Sequence, residues 1–407
     1  MLQQVCKNPI NPLCNNSYKA FERKYIKQKM NNSNAIETAM EAANSALLLN
    51  TEAQISRASK AWKRCSFLGL DTEFVRERTF YANIGLVQLS DGHTVWLVDP
   101  LVKGAVEPLR ELLEDPSISK IIHSPSEDLD VLSSAIGALP EPMIDTQLAC
   151  ALLGKPLQSG YHTAAEWLIG VAIDKDQTRS NWCARPLRQV QLKYAALDVC
   201  LLPLMWEILK SRLEEKNRLS WFEEDCQKQL DKARFSGDQD IFWQRIRGIG
   251  RLDGESLAIL QSLSQWREKE ARERNRPRGF VVPDPILLSI SRSKMTSIES
   301  LKTIDDFHSQ AIERHGEKLI ERVKNTLSSG HQLPMIEEPT PAERKMLTDM
   351  RAVIKKKADE MGVESTVLAS KKDLESLIQN GENEWPLKLQ GWRQNEFGSD
   401  LLSILGR

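Results

Sequence analysis

At 407 residues the chain is too long for one small core and long enough for two or three domains. Its formal net charge of -1, from 55 Lys and Arg against 56 Asp and Glu, excludes attraction to a polyanion by bulk charge, so any such binding must come from local patches. The seven cysteines include no Cys-x-x-Cys pair and no apolar run reaches membrane-spanning length, which argues against a zinc site, a disulfide framework or a membrane protein.

Scattered cysteines suit a reducing compartment, and the polar N-terminus lacks a signal-peptide core, so a cytoplasmic protein is expected. Residues 1–45, rich in Asn and Lys, read as a poorly ordered extension with a helix near Ala35–Leu47. A short strand at Leu47–Leu49 follows. Thr51 with Gln54 three residues on has the form of a capping box and starts a helix through Trp62. Phe67–Phe74 reads as a buried strand, on which Asp71 and Glu73, two apart, share a face. Paired carboxylates at the end of a core strand call for a positive partner, a divalent metal first; the alternative is an exposed strand end with two solvated acids.

Ile84–Ser90, a turn at Asp91-Gly92 and Thr94–Val98 complete an antiparallel meander. A helix over Val106–Leu113 and a strand over Lys120–His123 come next. Another helix starts at Ser124-Pro125-Ser126-Glu127, with Ser124 as its cap and Asp128 in its first turns. Asp145, ending a short apolar run, reads as a structural acid. A meander followed by alternating strands and helices predicts an α/β domain with a mixed sheet flanked by helices. Between Gln158 and Val190, the mixture of Arg179, Trp182, Arg185 and Arg188 suits phosphate contacts and base stacking, or an ordinary amphipathic surface. Tyr194 and Asp198 lie four apart, on one face of the next helix: a hydrogen-bonded structural pair, or a further ligand beside a residue that orients water.

From Trp221 onward helices dominate. Asp253 caps one that runs into Arg267–Arg278, where cations outnumber glutamates: a solvated face or a nucleic-acid patch. Helix starts follow at Asp284-Pro285 and at the capping box Thr340-Pro341-Ala342-Glu343, with a linker over 331–339. A weak internal repeat pairs Pro285–Arg292 with Ser365–Lys372, and Ser297–Leu301 with Asp373–Leu377.

Four acids in the order Asp71-x-Glu73, Asp128, Asp198, with Tyr194 before the last, resemble the DEDD exonuclease superfamily in its tyrosine subclass. The histidine subclass would place His at the position of Lys193. The runs Leu70–Arg76, His123-x-x-Ser126-Glu127-Asp128-Leu129, Ile144–Gln147, Ala184–Leu187 and Tyr194-Ala195-Ala196-x-Asp198 resemble ribonuclease D in particular, with Pro125 a departure. The two helical segments resemble HRDC domains, the first through Trp266–Arg274 and the more divergent second through Gly391-Trp392-Arg393.

That resemblance implies a ribonuclease-H-like exonuclease domain over 46–212, a first HRDC domain with its connecting helix over 213–330, and a second over 340–407. It implies that Asp71, Glu73, Asp128 and Asp198 hold two divalent cations, Mg²⁺ or Mn²⁺, roughly 3.5–4 Å apart, and that Tyr194 orients the attacking water. It further implies a monomeric 3′→5′ exoribonuclease releasing nucleoside 5′-monophosphates from tRNA precursors and other small structured RNAs with 3′ extensions. Arg179, Trp182, Arg185, Arg272, Arg274 and Arg276 are candidate RNA contacts. The rivals are a 3′→5′ DNA exonuclease and a non-catalytic RNA-binding protein.

Overall fold

Three apolar runs broken by turn residues fold as the meander their pattern predicts. In the computed structural model, which describes residues 32–173, 180–235 and 239–406, β2 (Phe67–Val75), β3 (Asn83–Ser90) and β4 (Val95–Val98) pair antiparallel in sequence order. The β3–β4 turn is closed by Asp91, whose Oδ1 accepts the N–H groups of His93 (2.9 Å) and Thr94 (2.7 Å), while Gly92 takes φ +88°. Three parallel pairings widen the sheet: β1 (Leu47–Leu49) on β4, β5 (Ser119–Ile122) on β2, and β6 (Met143–Asp145) on β5. The strand order β1-β4-β3-β2-β5-β6 makes the expected mixed sheet.

Helices fill the connections. A helix at 32–44, α1, occupies part of the segment expected to be poorly ordered and buries Ala39, Ala42 and Ala43; residues 1–31 lie outside the described set. Then come α2 (Glu52–Trp62), α3 (Val106–Glu114), α4 (Ser126–Ala135), α5 (Thr146–Leu152), α6 (Tyr161–Ile169), α7 (Gln189–Cys200), α8 (Leu202–Glu215) and α9 (Leu219–Arg234). The Thr51–Gln54 box opens α2: the Gln54 N–H donates to Thr51 Oγ1 and the Asn50 N–H to Gln54 Oε1.

The α4 start corrects the sequence reading. Its first residue follows Pro125, no side chain caps it, and Ser124 sits at φ +66° with its N–H donated to Asp145 Oδ1 (3.2 Å). Asp145 instead caps α5 through the N–H groups of Gln147 and Leu148, the structural role expected of it.

The C-terminal half is helical: α10 (Gly254–Glu273), α11 (Arg278–Val281), α12 (Asp284–Ser293), α13 (Ile298–Leu301) and α14 (Ser309–Ser329), then α15 (Pro341–Met361), α16 (Ser365–Leu368), α17 (Lys371–Asn380) and α18 (Trp392–Ile404). The two series share a plan, a long helix, a four-residue turn of helix, a ten-residue helix and a closing helix, with α13 an additional short turn in the first. That order matches α12 with α17, so the repeat exists at a register different from the one read in the sequence, where Pro285–Arg292 was set against Ser365–Lys372.

The first series has its own core, built from residues such as Trp243, Leu260, Trp266, Leu287 and Leu319. The second series shares a continuous core with the sheet domain, and α9 lies in that core through Phe222, Cys226 and Leu230. An amphipathic pattern shows that a face is buried without showing against what. Among the described residues no helix is long and apolar enough to cross a membrane.

Candidate active site

The pairing of β2 explains why its acids are accessible at all. Its first half is covered on one side by β5, but that pairing ends at Gly69, so the strand runs on beyond its neighbour with Asp71 and Glu73 at the open edge. Gly69 lets α7 and α8 close in on that face, since a Cβ there would meet the Val199 carbonyl at 3.0 Å and Leu202 Cβ at 3.1 Å. This approach brings Asp198 to the strand. One carboxylate oxygen from each of Asp71, Glu73 and Asp198 lies within 4.8 Å of the others.

Asp128, at the third residue of the uncapped α4, stands beside this trio rather than in it. Its Oδ1 accepts the Thr72 hydroxyl at 2.5 Å, yet its charge bears on both Asp71 and Glu73. The open helix N-terminus also favours a carboxylate there. Burial, followed by the charges of Asp128, Asp198 and Glu73, pushes the Asp71 carboxyl well above the ordinary range, with the Thr72 N–H pulling the other way. Burial and the charges of Asp198 and Asp128 push Glu73 to about 9. Burial raises Asp128 to about 6 against the hydrogen bonds from Thr72.

Tyr194, one turn before Asp198, has its phenol raised by burial first and then by the Asp198 and Glu73 charges, so it stays protonated at neutral pH. A cleft of about 340 Å³ opens over Asp71, Tyr194 and Asp198, with His123, Tyr161 and His162 on its walls.

His162, on α6, was not among the candidates legible in the sequence. Its Nε2 lies 3.2 Å from Asp198 Oδ1 and its Nδ1 lies 3.0 Å from the Ile173 carbonyl. A carbonyl only accepts, so Nδ1 donates to it, and the Nε2 edge of the ring faces the Asp198 carboxylate. The only local signal is the Gly160-Tyr161-His162 run that opens α6. Among the described residues no Lys or Arg forms an ion pair with any of the four acids, and His162 is the basic side chain that touches one of them. Oxygen donors in that state fit a hard divalent cation.

The raised carboxyl values predict how the metal-free protein responds to pH. Folded Glu73 keeps its proton up to about pH 9, whereas the unfolded chain releases it near the model-compound value of 4.5. More protons are therefore bound to the folded state, and stability falls as pH rises between those limits. In EDTA the melting temperature should drop from about pH 6 to about pH 9, and the slope should flatten in Mn²⁺, which replaces those protons. A melting temperature independent of pH in EDTA would refute the mutual repulsion.

The candidate RNA contacts fare differently. Arg179 lies outside the described residues. Trp182 is buried at 1% exposure, its backbone pressed on Gly85 and its ring 6.1 Å from that of Tyr194, so it offers no face to a base. Arg185 is taken up by Asp99, with two contacts of 2.6 Å, and by the carbonyls of Gly85 and Trp182.

The Arg267–Arg278 cluster is largely neutralised from within. Glu268 and Glu270, both buried, hold Arg272 with Arg278 and Arg274 with Lys318 respectively, and buried Arg267 pairs with Asp284. Arg272 and Arg278 also lie over the Phe80 ring at 5.0 and 4.8 Å, and Asn275 Oδ1 accepts the N–H groups of Phe80 and Tyr81. This cluster is thus the joint between the first helical series and the β2–β3 loop. Arg276 is exposed and forms no ion pair among the described residues.

Comparison with known proteins follows the same division. A 3′-5′ exonuclease family matches residues 48–214, and the HRDC domain family matches residues 256–323. Over 364 residues the chain is 35% identical to ribonuclease D of Pseudomonas paraeruginosa, covering 88% of this chain and 96% of that protein. It is 32% identical over 368 residues to ribonuclease D of Escherichia coli, covering 88% and 98%. The crystal structure of the E. coli enzyme, described as an exoribonuclease involved in structured RNA processing, superposes with a TM-score of 0.82 at 30% identity, over 89% of this chain and 98% of that one.

Proposed function

The chain belongs to the ribonuclease D family of 3′→5′ exoribonucleases, and on that premise we propose that it trims 3′ extensions from tRNA precursors and other small structured RNAs, releasing nucleoside 5′-monophosphates. The observation that carries the reading is the trio Asp71, Glu73 and Asp198, whose oxygens lie within 4.8 Å of one another with no Lys or Arg paired to them among the described residues. In this reading the trio and Asp128 hold two divalent cations, Mg²⁺ or Mn²⁺. Such ions, when bound, stabilise the charge of the attacking and leaving oxygens of an in-line displacement.

The chain's own groups have distinct tasks. Tyr194 keeps its proton, so its hydroxyl orients a water and does not act as the base. His162, hydrogen-bonded between the Ile173 carbonyl and Asp198, fixes the orientation of that carboxylate. Thr72 does the same for Asp128 through its hydroxyl. An exonuclease domain over 46–212 carries this chemistry, and HRDC-like modules over 213–330 and 340–407 present the RNA. Arg276, exposed and outside the internal ion pairs, is the phosphate contact retained from the sequence reading. All four acids and Tyr194 come from one chain, which suits a monomer. The described cysteines are free, which suits the cytosol.

A time course on a 3′-extended tRNA and a matched single-stranded DNA, in Mg²⁺, Mn²⁺ or EDTA, tests this. The expected result is metal-dependent shortening of the RNA from its 3′ end, lost in Asp128→Asn. Preferential shortening of the DNA would move the substrate assignment. Shortening that persists in EDTA would remove the metal from the reaction.

A further inference from the structure

Within the apolar β3 run Ile84–Leu89 one residue breaks the pattern. Gln88 is fully buried, and neither its amide nitrogen nor its amide oxygen has a hydrogen-bond partner. Water inside a core strand is scarce, so an unpaired amide there is costlier than an apolar residue of the same shape. Its place is specific. In the β2–β3 ladder Gln88 stands directly opposite Asp71. Directly opposed residues project from the same face, with Cβ atoms about 5 Å apart. That face is the one that α7 covers with Asp198. The Gln88 amide is therefore on the same face as the Asp71 carboxylate and next to it across the ladder, without being bonded to it.

A buried polar group left unpaired calls for an explanation, and such groups concentrate at functional sites. Asp71 has the Thr72 N–H as a donor but no side-chain donor among the described residues. Three other carboxylates surround it, and a carboxylate that binds a cation through one oxygen needs a donor on the other to hold its orientation.

We propose that Gln88 is a positioning residue of the metal site, its amide N–H donating to the oxygen of Asp71 that is turned away from the cation. The proposal rests on the reading of Asp71 as a metal ligand. Gln88 would touch neither RNA nor the reacting atoms, and would act through the affinity and alignment of the cation.

Mn²⁺ binding to the full chain, measured by titration calorimetry on parent, Asp71→Asn and Gln88→Leu proteins, tests this with metal-free melting temperatures recorded alongside. Gln88→Leu is expected to melt no lower than the parent without metal and to bind Mn²⁺ on the order of 10-fold more weakly. Its kcat should fall at low Mn²⁺ and recover at high Mn²⁺, with the KM for RNA unchanged. Gln88→Met, unbranched and of similar length, should repeat this where Leu packs poorly. Parent-like Mn²⁺ affinity in both variants, beside a loss in Asp71→Asn, would overturn the role of Gln88 and leave the metal reading intact. A lower metal-free melting temperature in both variants would make the amide structural and likewise overturn it. Parent-like affinity in Asp71→Asn would remove the metal reading and this proposal together.

Discussion

Asp71→Asn is expected to lower RNA hydrolysis by at least about 10²–10³-fold, the scale seen when one group that stabilises transition-state charge is lost, while making the metal-free protein more stable. Both effects come from the same geometry. Asp71 is half-buried, and desolvation together with the charges of Asp128, Asp198 and Glu73 raises its carboxyl. Asparagine keeps the shape and removes the cost of either protonating this carboxyl or charging it among the others, so the metal-free fold gains. The cation loses an anionic donor from a trio whose oxygens lie within 4.8 Å, so binding and turnover both suffer. Thermal melts in EDTA and in Mg²⁺, beside turnover of a 3′-extended RNA, separate these effects. Retained hydrolysis in a folded variant would remove Asp71 from the metal site. A marked fall in the EDTA melting temperature would show that Asp71 supports the fold rather than straining it.

The second large effect is expected far from the chemistry. Arg393 on α18, 3% exposed, makes a bidentate pair with Asp225 on α9, through contacts of 2.6 and 2.8 Å, and donates to the Val367 carbonyl at 2.9 Å. Asp225 also accepts the Trp392 indole N–H, and Trp392 stacks on Trp221 with ring centres 4.4 Å apart. These contacts fasten the second helical series to the sheet domain. Arg393→Ala leaves Asp225 charged, buried and unpaired, a change that costs about 3–5 kcal/mol. Arg393→Met combined with Asp225→Leu should recover most of the loss, because a buried ion pair exceeds a well-packed apolar pair by little or nothing. Urea unfolding of the single and double variants measures both. A single variant within about 0.5 kcal/mol of the parent would show the pair to be dispensable.

The pairings of Asp71 with Glu73 and of Tyr194 with Asp198 were legible in the sequence because their relations are local, whereas Asp128 entered only through the family resemblance. Two residues apart on a strand puts Asp71 and Glu73 on one face, and four apart on a helix does the same for Tyr194 and Asp198. The meander and the alternation after it were legible for the same reason, as runs and turns whose signals lie within a few residues. Ser124 shows the limit at close range. It has the composition of a cap, but its backbone N–H is claimed by Asp145, 21 residues away, and the helix starts without it.

Only the tertiary structure decided the partners of the charged and aromatic residues. Trp182, Arg185, Arg272 and Arg274 had the composition of an RNA surface, yet Gly85, Asp99, Glu268 and Glu270 take them up. His162 joined the site, and Gln88 came to face Asp71, through contacts that no spacing announces. Periodicity records which face of an element is buried, because burial follows the repeat of the backbone. It does not record what that face is buried against, because that is settled by contacts between residues tens to hundreds of positions apart, as between Asp225 and Arg393.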